Sequence, residues 1–380
     1  MEIKSRLPEV GTSIFTVMSK MALDHGAINL SQGFPDFALD EKIIHLVHRY
    51  MLEGNNQYAP MPGVPSLRQI ISEVVLNSYG HKADPENEIT ITSGATEGIY
   101  ATITALIQQG DEVIIFDPSY DSYEPTIRLN GGIPVQINLR FPDFSIDWDQ
   151  VKSKITSKTK MIIVNTPHNP SGAVLKEEDL LQLEQLAIQH NLIVLSDEVY
   201  ERLTYDGIRH RSVLSLPGLA SRSVAVFSFG KTFHATGWKA GYTVSPPYFN
   251  REIRKTHQFI VFAVNTPVQM ALAEYMKTPA HYLNLGKFYQ QKRDFFLEQI
   301  KGSSFEPLAC HGSYFQVVSY KNISDKGDFE MAEELTKKHK VAAIPVSVFY
   351  KDKTDNRLLR FCFAKKEETL AKAGEILRKL

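Results

Sequence analysis

The chain has 380 residues, beyond the size at which one hydrophobic core keeps growing, so its length predicts two packed domains or one large domain carrying a smaller one. Its 42 basic and 43 acidic residues leave a formal net charge of −1, and the basic ones are scattered, which excludes the patch that nucleic acid or an anionic membrane surface requires and favours small-molecule partners. The two cysteines, Cys310 and Cys362, are too few for a disulfide framework and lack zinc-site or redox-pair spacing. No apolar run reaches the roughly 18 residues that span a bilayer, and the start MEIKSRLPEVG lacks the apolar core of a signal peptide, so a cytoplasmic protein is expected.

The first 26 residues read as an arm, and continuous folding is expected from about Ala27 onward. From about residue 85 the pattern becomes regular. Short apolar strand candidates, EITIT, DEVIIFD, KMIIVNT, NLIVLSD and SVAVFSF, alternate with helix-length segments. The clearest helix is KEEDLLQLEQLAIQHN, with Leu180, Leu183, Leu186 and Ala187 on one face. Such alternation implies an α/β fold whose mainly parallel sheet is covered on both faces, with ligands at the carboxyl ends of the strands. Past about residue 250 longer helical patterns follow, then GSYFQVVSY, VAAIPVSVFY and LLRFCFA among helices, which predicts a smaller α+β domain. The expected division is an arm with part of the small domain at 1–34, a large domain at 35–280 and the small domain at 281–380.

The chemistry-bearing segments lie just beyond these strands. ITSGATEG, residues 91–98, runs from a strand through Gly94 into a helix expected to start near Ala95. Such a start is an anion site, although the same sequence fits an ordinary capped turn. NTPHNPSG, holding Asn169, reads as a rigid loop that aims a side chain, or as a plain turn. SDEVYERL places Asp197 at a strand end, where it suits either a buried carboxylate with a cationic partner or a helix N-cap. SFGKTFHATGWKAGY sets Lys231 just past SVAVF, with Phe229, Phe233 and Trp238 as apolar bulk and Lys239 as a nearby charge. Those surroundings lower the pKa of an amine that must be neutral to attack a carbonyl; taken alone, the lysine reads as a surface residue. Arg360, flanked by apolar residues in LLRFCFA, wants a carboxylate, from a ligand or from an internal salt bridge.

Taken in order, NLSQGFPDF, NQYAPMPGVPSLR, SGATEG, DPSYDSYEP, NTPHNPSG, SDEVYERL, GKTFHATGWK and RFCFAKKE resemble the fold-type I pyridoxal phosphate aminotransferases, the aspartate aminotransferase superfamily, over nearly the whole chain. Among these the chain looks nearest to bacterial methionine aminotransferases and the kynurenine, or glutamine transaminase K, group. The resemblance implies a mainly parallel seven-stranded sheet and a pyridoxal 5'-phosphate cofactor carried by Lys231 as a Schiff base. It implies that Gly94, Ala95, Thr96, Ser228 and Lys239 hold the phosphate, lysine standing where many members have a bidentate arginine. Asp197 would pair with the pyridinium nitrogen, Tyr200 and Asn169 would bind the ring oxygen, and Tyr120 would stack on the ring.

By the same resemblance Arg360 clamps the substrate α-carboxylate with the backbone of Gly33, and Tyr58 reaches the phosphate of a neighbouring subunit in a homodimer with shared sites. Phe15, Tyr58, Tyr120, Val264, Asn265, Tyr314 and Phe315 would form a mainly apolar side-chain pocket. The implied reaction is a ping-pong transfer from methionine, aromatic or similar amino acids to a 2-oxo acid, with Lys231 as proton shuttle. A cysteine-S-conjugate β-lyase would use the same lysine, aspartate and phosphate site. A ligand-sensing regulator with this body would need a DNA-binding domain that 26 residues cannot hold. No metal is implied.

Overall fold

The computed structural model describes residues 3–380; Met1 and Glu2, the beginning of the expected arm, lie outside the described residues. Among the described residues thirteen strands run in chain order: β1 (Ile28–Asn29), β2 (Ile89–Thr92), β3 (Glu112–Asp117), β4 (Ile133–Asn138), β5 (Thr159–Asn165), β6 (Ile193–Asp197), β7 (Ser223–Ser228), β8 (Gly241–Val244), β9 (Glu306–Pro307), β10 (Phe315–Ser319), β11 (Val341–Ala342), β12 (Ile344–Pro345) and β13 (Leu358–Cys362). Seven form one sheet in the order β2-β8-β7-β6-β5-β3-β4. Every neighbouring pair is parallel except the two made by β8, which runs antiparallel to both β2 and β7.

Side-chain alternation divides the core of this sheet between its two faces. Met161, Ile163, Ile193 and Leu195 belong to one buried cluster, whereas Ile162, Val164 and Val194 belong to the other. Strands buried on both faces therefore read as continuous apolar runs, which is why DEVIIFD, KMIIVNT and NLIVLSD are visible in the sequence. The Glu177–Gln189 helix buries Leu180, Leu183, Leu186 and Ala187 as expected. Three acidic residues fill its first turn, and Asp179 accepts a hydrogen bond from the Lys176 amide at 2.9 Å.

A second, antiparallel sheet has the order β12-β13-β10-β9. VAAIPVSVFY, one of the apolar segments read into the smaller domain, forms β11, β12 and a 3-10 turn over Val346–Phe349. Pro345 lacks the amide that would continue the ladder. In the seven-stranded sheet two strands escaped the sequence reading altogether. β4 carries Pro134 and sits at the sheet edge, where a missing amide is tolerated, and β8 is only four residues long. The arm includes a helix over Ile14–Asp24, with Met18 and Ala22 buried, and then joins the carboxyl-terminal part by pairing β1 with β11.

Candidate active site

A cavity of about 310 Å³ opens at the carboxyl ends of β3, β5, β6 and β7, the location expected in an open α/β sheet. Of the residues singled out above, Phe15, Gly33, Gly94, Ala95, Thr96, Tyr120, Asn169, Asp197, Tyr200, Ser228, Lys231, Lys239, Phe315 and Arg360 line it.

At one end the chain leaves β2 and turns at Gly94, whose φ of +74° favours glycine, into the Gly94–Leu106 helix. Ser93 makes no side-chain cap; its own amide donates to the Glu97 carboxylate at 3.0 Å. Early amides of a helix have no intrahelical acceptor, so the first turn, with Ala95 and Thr96, presents donors and a positive dipole end to the cavity. Lys239 stands close by: a Cβ built on Gly94 would lie 3.4 Å from its Nζ. A Cβ on Gly241 would fall 2.6 Å from the Phe227 carbonyl oxygen and 2.9 Å from the Ala95 nitrogen, so only glycine lets β8 close this cradle. Ser228 accepts a hydrogen bond from the Lys231 amide at 3.3 Å, which starts the short Phe229–Thr232 helix.

Asp197, 4 % exposed, ends β6 and is followed by turns, so the helix N-cap alternative is not realised. Its carboxylate accepts hydrogen bonds from the Tyr123 hydroxyl at 2.5 Å and the Val199 amide at 3.3 Å. Burial outweighs these and pushes the carboxyl up to about 6. Asn165 ties the neighbouring loop down, its Nδ2 donating to the Asp197 carbonyl at 2.9 Å and its Oδ1 accepting from the Asn169 amide at 2.8 Å. Tyr200 is buried with its ring edge-on to Tyr314.

Burial lowers the Lys231 amine to about 8, against the pull of Asp197. Its Nζ donates to the Tyr314 hydroxyl at 2.9 Å. Arg360 is fully buried, its guanidinium 3.9 Å from the centroid of Phe315. Nη1 donates to Asn169 Oδ1 at 2.7 Å and Nη2 to the Ser31 carbonyl at 3.1 Å. Nε is buried with no partner, and among the described residues no carboxylate pairs with this guanidinium, so the internal salt bridge is not formed. Burial pushes Arg360 down to about 10.

Four expected residues lie elsewhere. Tyr58 is 83 % exposed outside the cavity, its ring edge-on to Phe262. Val264 is buried outside the cavity, and Asn265 caps the Thr266–Tyr275 helix by accepting from the Val268 amide at 3.0 Å. Tyr314, expected as a pocket wall, is packed behind Lys231 because Phe315 occupies the wall position. Tyr123 and Asn165 were missed in the sequence. The signal for each is its spacing: three residues after Tyr120 in DPSYDSY and four before Asn169 in NTPHNPSG. Among the described residues there is no cluster suited to a metal and no helix long and apolar enough to cross a membrane.

Residues 25–377 match the family described as aminotransferase class I and II. Methionine aminotransferase of Escherichia coli (strain K12) is 49% identical, over 99% of this chain and 98% of that protein. Kynurenine–oxoglutarate transaminase 3 of Rattus norvegicus is 36% identical, over 98% of this chain and 89% of its own. A solved Escherichia coli structure with a methionine aminotransferase function superposes with a TM-score of 0.98 at 48% identity, covering both chains fully. A Thermus thermophilus aspartate aminotransferase mutant gives 0.91 at 27%, covering 100% of this chain and 99% of that one. With the family matched from residue 25 to 377 and the same architecture in solved members, the chain belongs to the class I and II aminotransferases, enzymes of the pyridoxal phosphate type.

Proposed function

We propose that this cavity binds pyridoxal 5'-phosphate and that the enzyme passes the amino group of methionine, aromatic or similar amino acids to a 2-oxo acid by a ping-pong route. The observation that carries the reading is the convergence, on one cavity, of a buried amine, a buried carboxyl and an uncapped helix start beside a lysine. The donor set fits the cofactor. The cradle of Gly94, Ala95, Thr96, Ser228 and Lys239 suits its phosphate, and Asp197 suits its ring nitrogen; a cation there would offset the desolvation that raises the carboxyl. Tyr120 would cover the ring face, with Asn169 and Tyr200 at its oxygen.

Bound pyridoxal phosphate supplies an aldehyde that accepts amino groups and a ring that absorbs the electrons left at the substrate Cα. The side chains of the protein do the rest. Arg360, with its unpaired Nε, holds the substrate α-carboxylate beside Gly33 and so fixes Cα relative to Lys231. Lys231 Nζ, which burial lowers to about 8 so that its neutral share grows as pH rises toward that value, takes a proton from Cα in one half-reaction and gives one back to Cα in the other. Phe15, Phe34, Ile99 and Phe315 give the cavity apolar walls, and Arg360 is the one guanidinium among its lining residues. That composition favours apolar side chains over a second carboxylate.

Exposed Tyr58, Phe259 and Phe262 suit contact with a second copy, so the homodimer with Tyr58 reaching the partner's phosphate forms part of the proposal. So does the division at residues 34 and 280. Product analysis with methionine, phenylalanine, aspartate and an S-conjugated cysteine, each with a 2-oxo acid, tests the reaction. Stoichiometric 2-oxo acid and new amino acid from methionine, with aspartate at least about tenfold poorer, is expected. Pyruvate, ammonia and free thiol as the main products, with no transfer from methionine, would replace it with the β-lyase.

A further inference from the structure

Tyr314 is fully buried on the chain entering β10, with its ring against Tyr200 at 5.0 Å and Tyr289 at 5.8 Å between centroids. Its hydroxyl makes two hydrogen bonds of opposite sense. It donates to the Gly33 carbonyl at 2.5 Å and accepts from Lys231 Nζ at 2.9 Å. Gly33 must lack a side chain for this to happen, since a Cβ would lie 2.7 Å from Phe315 Cζ and 3.4 Å from Tyr314 Cε2. Two residues earlier in the same segment, the Ser31 carbonyl accepts from Arg360 Nη2 at 3.1 Å. The 31–33 segment therefore touches the guanidinium at one end and, through Tyr314, the lysine amine at the other.

We propose that Tyr314 is a positioning residue that docks the free Lys231 amine and ties it, through Gly33 and Ser31, to the arginine that receives the substrate carboxylate. The inference rests on the proposed roles of Lys231 and Arg360. A phenol whose proton is committed to a carbonyl offers only its lone pairs, so the amine must point a hydrogen at it and keeps its own lone pair for the opposite direction, toward the cavity. The same contact favours the protonated amine, because an ammonium is the better donor. The other charged or titratable groups facing Lys231 are Asp197 at the end of β6, Tyr200 in the turn after it, Lys239, and Arg360 and Cys362 on β13. Burial keeps the Cys362 thiol and the Tyr200 hydroxyl protonated at neutral pH, so Asp197 is the one anion set against two cations.

The test is made first on cofactor-free protein. Trace acetylation with acetic anhydride across pH 6–10, read by peptide mass spectrometry, gives the titration midpoint of Lys231 in wild type, Tyr314→Phe and Tyr289→Phe. Tyr289 also buries a hydroxyl, but that one bonds His234 Nδ1 at 2.9 Å. Tyr314→Phe is expected to lower the midpoint by about 0.5–1 pH unit, while Tyr289→Phe leaves it in place. In the loaded enzyme Tyr314→Phe should lower kcat about tenfold with little change in KM, because the clamp on the carboxylate survives. If Tyr314→Phe is recovered unfolded, Tyr314→Met is titrated instead and must show the same fall. An unchanged midpoint in the folded variant would overturn the inference. Borohydride fixation of pyridoxal phosphate on Lys231 is followed in parallel: if wild type captures no cofactor there, the functional reading itself fails, whatever Tyr314 does.

Discussion

The seven-stranded sheet reaches the cavity through residues at or beyond its strand ends: Asn165 and Asp197 close β5 and β6, and Tyr120 and Lys231 follow β3 and β7. The four-stranded sheet instead presents Arg360 from the middle of β13, paired with Ile344 on one side and Val317 on the other. Side chains beyond strand ends are held by local caps and loops, so they can change without disturbing the ladder. A guanidinium in mid-ladder also serves as packing, stacked on Phe315 and bonded to Asn169 and Ser31. The lesson is that the first sheet separates chemistry from stability and the second does not.

Lys231→Ala should break the comparison first if it is wrong. It is expected to lower kcat by about 10⁴-fold or more, with the melting temperature of the cofactor-free protein nearly unchanged. Arg360→Ala should lower kcat/KM for the amino donor by about 10²–10³-fold, mostly through KM. Unlike the lysine variant it should also lower the melting midpoint, by roughly 3–6 °C. A fall in activity without any fall in stability would show that β13 is as separable as the strand ends.

Tyr123→Phe sharpens the picture at the Asp197 end. Losing one hydrogen bond to a buried carboxylate should reduce kcat about threefold to tenfold with KM held. The smallest effect is one of pH. Burial raises Asp197 in the folded cofactor-free protein to about 6, so that protein binds more protons than the unfolded chain between about pH 4 and 6. Stability contributed by this group is therefore present at low pH and lost as pH rises through that window. Asp197→Asn removes the loss. Its melting temperature relative to wild type should climb from pH 4 to pH 6, by the equivalent of about 1–3 kcal/mol, and scanning calorimetry on both proteins reads the difference directly.

Much of this architecture was legible because strands buried on both faces are written as unbroken apolar runs, and because glycine, proline and charged residues mark where those runs end. β4 and β8 were not legible: one carries a proline that only an edge position excuses, and the other follows directly on the lysine loop with four residues. The candidate site residues were legible as types at strand ends and as a family pattern. Their partners were not. That Tyr123 holds Asp197, that Asn165 aims the Asn169 loop and that Tyr314 sits behind Lys231 rather than in the pocket wall are consequences of packing between segments from 74 to 83 residues apart, or of loop closure over four. No local periodicity encodes such contacts.

The most direct test of the central claim is a visible absorption spectrum of the purified protein with pyridoxal phosphate, taken before methionine, after it, and after a 2-oxo acid, for wild type and Lys231→Ala together. Wild type should be yellow, bleach with methionine and recover its colour with the oxo acid, and the variant should fail to complete the cycle. A wild-type protein that stays colourless with the cofactor, or a Lys231→Ala variant that cycles like wild type, would contradict the account.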